Sequence, residues 1–144
     1  MAGYDEVIVL LDFTSKDERA LRAATRLGVG GMLRLIHVMS PGEGDEGELA
    51  VIDEARRAAA KQRLEQYVEQ LADFTDAGGE VQCEIAIGAL GAEVARRVDA
   101  PRHSVLVLVP DRADLGAAVP SPRPEAIALM ELAASAPCSV LLVR

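Results

Sequence analysis

Aromatic side chains are almost missing from this chain: its 144 residues include no tryptophan, two tyrosines and two phenylalanines. That scarcity removes the stacking platform of a single-strand nucleic-acid binder and requires an aliphatic core. Cysteine is equally scarce. Cys83 and Cys138 are the only two, too far apart for a CxxC or zinc pattern, and each stands in an apolar run, which assigns both to the core as small hydrophobes. Positive charge is outnumbered, 15 Lys and Arg against 23 Asp and Glu, for a net charge of -8. The chain's own field therefore repels phosphate backbones and anionic lipid, and no nucleic-acid partner is expected. Long apolar runs are absent too. Nothing approaches the roughly 20 residues that cross a bilayer, and Met1 to Glu6 is acidic where a signal peptide is basic. The expectation is a cytoplasmic protein with no membrane partner.

What the chain does have is a regular alternation. Val7 to Leu11 is a continuous aliphatic run closed by Asp12, the pattern of a strand buried on both faces. Similar runs are Met32 to Met39, interrupted only by Arg34 and His37, Val81 to Ile87, which alternates apolar residues with Gln82 and Glu84, Ser104 to Val109 and Cys138 to Val143. Helical patterns lie between them. Ser15-Lys16-Asp17-Glu18 has capping-box spacing, and Ala20, Leu21, Ala24 and Leu27 mark one face before Gly28 stops the helix. A long helix is predicted from about Glu48 to Thr75, with Ile52, Ala55, Ala59, Leu64, Tyr67, Val68, Leu71 and Phe74 on its apolar face and Gly78-Gly79 after it. Shorter helices are predicted over about Leu90 to Val98 and Pro124 to Ala134, with solvated loops over Ser40 to Gly47 and Ala113 to Arg123.

Strands alternating with helices of crossover length predict an α/β fold: a single domain over residues 1–144, in three layers, with an open sheet of five parallel strands and helices on both faces. Right-handed crossovers favour the strand order 3-2-1-4-5. The topological switch then falls between the first and fourth strands, and ligands in such sheets bind beyond the carboxyl ends at that switch. Asp12, Phe13, Thr14 and Ser15 line one side of the expected crevice, and Pro110, Asp111 and Arg112 the other.

These residues carry a resemblance to the universal stress proteins. It runs through Val7-Ile-Val-Leu-Leu-Asp12 with Ser15, Leu27-Gly28, Ile36-His37-Val38, Gly88-Ala-Leu-Gly-Ala-Glu-Val94 and Ala136-Pro137-Cys138-Ser-Val-Leu-Leu-Val-Arg144, over nearly the whole length and in order. The resemblance implies that Asp12 matches an adenine or ribose contact of the ATP-binding members and Val38 a position lining the adenine pocket. Those members are similar in carrying Gly-x-x-Gly, a short spacer, and Gly-Ser or Gly-Thr after the fourth strand. This chain departs from that pattern. Counted from the fourth strand, the glycine positions fall on Pro110, Ala113 and Arg123-Pro124; counted back from Pro137, the closing pair falls on Ala126-Ile127.

The chemistry of the replacements matters more than the missing letters. A phosphate loop works by aiming backbone amides at anionic oxygens. Pro110, Pro120, Pro122 and Pro124 have no amide hydrogen, and Asp111 and Asp114 add negative charge. Weak ATP binding or none is expected. The plainer role for Asp12 is to cap the turn after its strand, while Arg112 and Arg123 offer a side-chain route to an anion site.

Other chemistries fit poorly. A phosphoacceptor receiver needs carboxylates after the third strand, which here ends in Gly88, and a flavodoxin needs a glycine-rich loop after the first. A hydrolase needs a nucleophile beside a base, but His37 reads as a core or sheet-edge residue and His103 as a surface one. The acids of Gly42 to Glu48 lack calcium-loop spacing, so no metal is expected. The last strand would lie at an apolar sheet edge, and the resemblance implies antiparallel pairing there; a homodimer through Pro137–Val143 is expected. The function expected is that of a non-enzymatic universal stress protein-like binding or signalling module with an unknown protein partner and no cofactor. The alternative keeps ATP or AMP in a degenerate site with weak ATPase activity, formed by Asp12, Thr14, Ser15, Val38, Asp111 and Arg112.

Overall fold

The structure, a computed structural model, describes residues 5–28, 31–40, 46–97, 104–108 and 139–143. The elements run β1 (Glu6–Leu10), α1 (Lys16–Leu27), β2 (Met32–Met39), α2 (Glu46–Gln70), α3 (Ala72–Asp76), β3 (Glu80–Ile87), α4 (Leu90–Arg97), β4 (Ser104–Leu108) and β5 (Ser139–Leu142). The strands form one sheet in the order β3-β2-β1-β4-β5, parallel throughout, as the sequence predicts.

The aliphatic runs explain the layers. Along β1, odd residues point to one face and even residues to the other. Val7, Val9 and Leu11 join Leu33, Leu35, Val105 and Val107 beneath α1 and α2, with Ala20, Leu21, Ala24, Leu64, Leu71 and Phe74 from the helices. Ile8 joins Ile36, Leu106 and Leu108 beneath α4, which contributes Val94. Ile8 and Leu106 are completely buried, and burying a side chain of that size contributes about 1.5–3 kcal/mol.

Five expectations are corrected. The capping box at Ser15 does not form: Ser15 is already helical (φ -60, ψ -16) and makes no side-chain cap, whereas a capping residue holds non-helical dihedrals. Cys83 is exposed, not core, because β3 is an edge strand with a neighbour on only one side. The long helix starts at Glu46 and is interrupted at Leu71, whose φ of -96 and ψ of 17 leave the α region. Ala55 and Ala59 face solvent, while Ala60 faces the core. β1 starts and ends one residue earlier than the apolar run, because Glu6 pairs with both neighbouring strands and Leu11 does not extend the pairing to β4. Gly78, with φ of 98, makes the left-handed turn into β3.

The predicted helix over 124–134, the loop over 113–123, and Asp111, Arg112, Arg123, His103 and Cys138 lie outside the described residues. Among the described residues, no helix is long and apolar enough to cross a membrane, and no three His, Cys, Asp or Glu side chains group to hold a metal.

Candidate functional site

Beyond the carboxyl end of β1 the chain must leave a fully buried strand and enter α1 within five residues. Asp12 starts the turn: its Oδ1 accepts from the Thr14 amide at 3.1 Å and from the Thr14 hydroxyl. Thr14 Oγ1 in turn accepts from the Lys16 amide at 3.3 Å. Asp17, in the first turn of α1, reaches back and accepts from the Asp12 amide at 3.1 Å and the Phe13 amide at 2.8 Å. The side chains of Asp12, Thr14 and Asp17 thus do the capping that Ser15 does not.

Phe13 sits in the left-handed region at φ 61, a conformation that costs a residue with a Cβ roughly 1–2 kcal/mol. Several contacts hold it there. Its ring stacks on His37 with centroids 3.9 Å apart, the Arg63 guanidinium carbon lies 5.3 Å from the ring centre, and Arg63 donates to its carbonyl at 3.3 Å. Strain over-determined in this way clusters at ligand sites.

His37 closes the other side. Its Nδ1 is 2.8 Å from the Leu11 carbonyl; a carbonyl only accepts, so Nδ1 carries the proton and Nε2 remains an acceptor while the ring is neutral. Tyr67, from α2, donates its hydroxyl to Asp17 at 2.7 Å. Burial, reinforced by Asp17, pushes the Tyr67 hydroxyl up to about 12, so it stays a donor across the physiological range.

The two carboxylates behave oppositely. Burial raises Asp17 above its ordinary value, helped by the nearby charge of Asp12, despite the Tyr67 hydrogen bond. Burial works the same way on Asp12, but the Thr14 hydrogen bonds and the Lys16 ammonium, 3.3 Å away, hold it below the usual range. Asp12 is ionised at neutral pH, and Asp17 is 2% exposed with all its known donors in place.

These groups border a cavity of about 230 Å³ lined by Leu10, Leu11, Asp12, Lys16, Asp17, His37, Val38, Ser40, Gly88, Leu90 and Leu108. It lies at the switch between β1 and β4, where the strand order places it. Its walls are aliphatic and its polar groups few, the usual make-up of a small-molecule site. Gly88 has a φ of 155, a conformation that side chains with a Cβ rarely adopt, and a Cβ there would also press on the Glu93 side chain.

Of the residues expected from sequence, Asp12 and Val38 line this cavity, whereas Thr14 supports Asp12 and neither it nor Ser15 reaches the wall. Asp111 and Arg112 lie outside the described residues. Sequence reasoning missed Lys16, Asp17, Arg63 and Tyr67, and set His37 aside. Only Asp17 left a local signal, a second acid five residues after Asp12.

No family model matches the chain, and no curated protein matches it. Solved structures do. The universal stress protein UspA from Lactobacillus plantarum superposes with a TM-score of 0.79 at 20% identity, covering 100% of both chains. A universal stress protein in complex with cAMP matches at TM-score 0.59 and 17% identity over 99% of this chain and 98% of that one. The universal stress protein from Archaeoglobus fulgidus in complex with dAMP matches at TM-score 0.59 and 17% identity over 98% of each. At such identities the likeness establishes a common fold.

Proposed function

We propose that this chain is a universal stress protein-like binding and signalling module of the cytoplasm, working as a homodimer and not as an ATPase. The observation that supports this reading is the size and lining of the crevice beside Asp12. At about 230 Å³ it falls below the roughly 300–1,000 Å³ of ordinary ligand pockets and has room for a base-sized group. The segment after β4 adds Pro110, Pro120, Pro122 and Pro124, which have no amide to offer a phosphate. Calorimetry with ATP and magnesium is expected to give no micromolar affinity; a micromolar site would overturn the reading.

A second reading is favoured by what the cavity contains. Asp12 is an acceptor for an exocyclic amine, Val38 and Leu90 offer flat aliphatic contact, and His37 adds a ring edge. This is the chemistry of an adenine-sized heterocycle, and two solved relatives in fold hold cAMP and dAMP. A nucleoside or its monophosphate is the ligand class that fits.

The dimer is proposed through β5. That strand pairs only with β4 among the described strands, and Val143 donates inward to the Leu108 carbonyl at 2.8 Å. Alternation then turns the amides of Val140 and Leu142 outward. Leu141 packs into the core under α1, so a charge there would damage the fold as well as the edge. Leu142→Pro removes an outward amide alone. It is expected to give a monomer in sedimentation velocity where the unchanged chain is a dimer; a persistent dimer would count against this edge.

A further inference from the structure

Beside the crevice lies a second, open cavity of about 410 Å³ lined by Phe13, His37, Val38, Met39, Arg56, Ala59, Ala60 and Arg63. It shares His37 and Val38 with the first, so one molecule spanning that common wall would touch both. Its polar character is opposite. The first cavity carries Asp12 and Asp17; the second has two guanidinium groups and no carboxylate among its lining residues.

The sequence of α2 makes that cavity. Arg56 and Arg63 are seven residues apart, the spacing that returns to one helix face. Ala59 and Ala60, between them along the helix, also line the cavity and leave space that longer side chains would fill. Residues 53–63 hold Arg56, Arg57, Lys61 and Arg63 against Asp53 and Glu54, a local cationic excess in a chain whose net charge is -8. Neither lining arginine has a close carboxylate partner: Arg56 meets Asp53 at 3.4 Å, with both side chains about a third exposed, and Arg63 contacts neutral groups, the Phe13 carbonyl at 3.3 Å, the Phe13 ring and the Tyr67 hydroxyl.

We propose that Arg56 and Arg63 form an anion subsite for a single phosphate group, next to the base-sized crevice, so that a nucleoside monophosphate binds with its phosphate on α2 and not after β4. The inference rests on the second reading above for the identity of the attached base, and on the arginines alone for the anion. Guanidinium groups bind phosphate through paired, charge-assisted hydrogen bonds. Two cations match the roughly two negative charges of a monophosphate. A triphosphate brings further charge with no third cation among the lining residues, so ATP gains nothing over AMP.

The test compares adenosine, AMP and ATP by calorimetry on the full chain, and in parallel titrates inorganic phosphate against the 15N-labelled arginine side-chain resonances. AMP is expected to bind about tenfold more tightly than adenosine, with ATP no tighter than AMP. Arg56→Ala, which disturbs only the weak Asp53 pair, should remove that gain while adenosine affinity stays unchanged. Arg63→Ala should remove it too, and circular dichroism will show whether that variant has kept its fold. Equal affinity for adenosine and AMP would overturn the anion subsite and leave the base-binding reading standing. Failure of both nucleosides to bind, with Arg56 and Arg63 still shifting under inorganic phosphate, would support the subsite and sink the base-binding reading. No binding and no shift would overturn both.

Discussion

Among the described residues, charge on the α4 face of the sheet is tied into one ion network, whereas the carboxyl ends of β1 and β2 bring two carboxylates beside one ammonium. On the α4 face, Arg34 donates to Glu6 and Glu84, each at 2.6 Å, and to the Arg97 carbonyl at 2.9 Å. Arg97 reaches Glu84 at 2.8 Å and Glu93 at 2.9 Å, and Arg96 reaches Glu93 at 2.9 Å. Three carboxylates meet three guanidiniums. Among the described residues, the crevice wall sets Asp12 and Asp17 beside Lys16, whose ammonium pairs with Asp12 at 3.3 Å. The first arrangement is complete and joins β1, β2, β3 and α4. Among the described residues, the second sets two carboxylates and one ammonium in the wall of an aliphatic cavity, a setting that favours a further donor from outside.

The largest test of this contrast removes the centre of the balanced network. Arg34 is 12% exposed and Glu6 2%, and Arg34→Met leaves the Glu6 carboxylate buried without the guanidinium it faces. A loss of about 3–5 kcal/mol is expected in urea unfolding. Adding Glu6→Gln should recover part of it, and failure to recover would show that the pair is not what holds this face.

A smaller effect is expected in the crevice. Tyr67→Phe removes the hydroxyl donated to Asp17 and should lower stability by about 1–2 kcal/mol. Because Asp17 also holds the Phe13 amide, ring-current shifts of the His37 protons should weaken. Unchanged shifts would separate Tyr67 from the geometry of the site.

The smallest effect sharpens the comparison through pH. Burial works to raise Glu84, but Arg34 and Arg97 hold it below the ordinary glutamate value of 4.5. Hydrogen bonds from Arg97 lead in lowering Glu93 likewise. A carboxylate lowered by folding stabilises above its unfolded pKa, and that contribution is lost as pH falls through the folded value. Glu84→Gln should therefore cost about 1 kcal/mol or less at pH 7 and flatten the acid-side loss of stability below about pH 4.5. Asp17, raised by burial, has the opposite sign: its carboxylate opposes folding at neutral pH, and that opposition eases as pH falls through its raised value. A Glu84→Gln profile parallel to the unchanged protein would place the acid response elsewhere.

Much of the fold was legible in sequence. The strands of a parallel sheet are buried on both faces, so Val7 to Leu11 and Ser104 to Val109 read as unbroken apolar runs, and strict alternation with helices left few topologies. The site was only half legible. Asp12 follows β1 at the switch, a position that topology alone identifies, whereas Val38, inside β2, was indicated only by the family resemblance. Asp17 and Tyr67 are 50 residues apart, as are Phe13 and Arg63, and no local pattern joins them. Arg34 looked like a flaw in an apolar strand; it is the hub of the ionic network. Cys83 looked like core from its apolar neighbours alone, although the predicted order 3-2-1-4-5 already puts its strand at the edge.

By itself, then, the order of apolar runs, helix stops and glycines determined the sheet, its direction and the end at which the crevice lies, because burial and chain handedness are properties of consecutive residues. Which charges are neutralised, which way Phe13 is forced to turn, and whether Arg56 and Arg63 share a cavity were decided only when α2 and α4 packed against opposite faces. Electrostatic pairing acts over a few ångströms of space, and separation along the chain does not encode it.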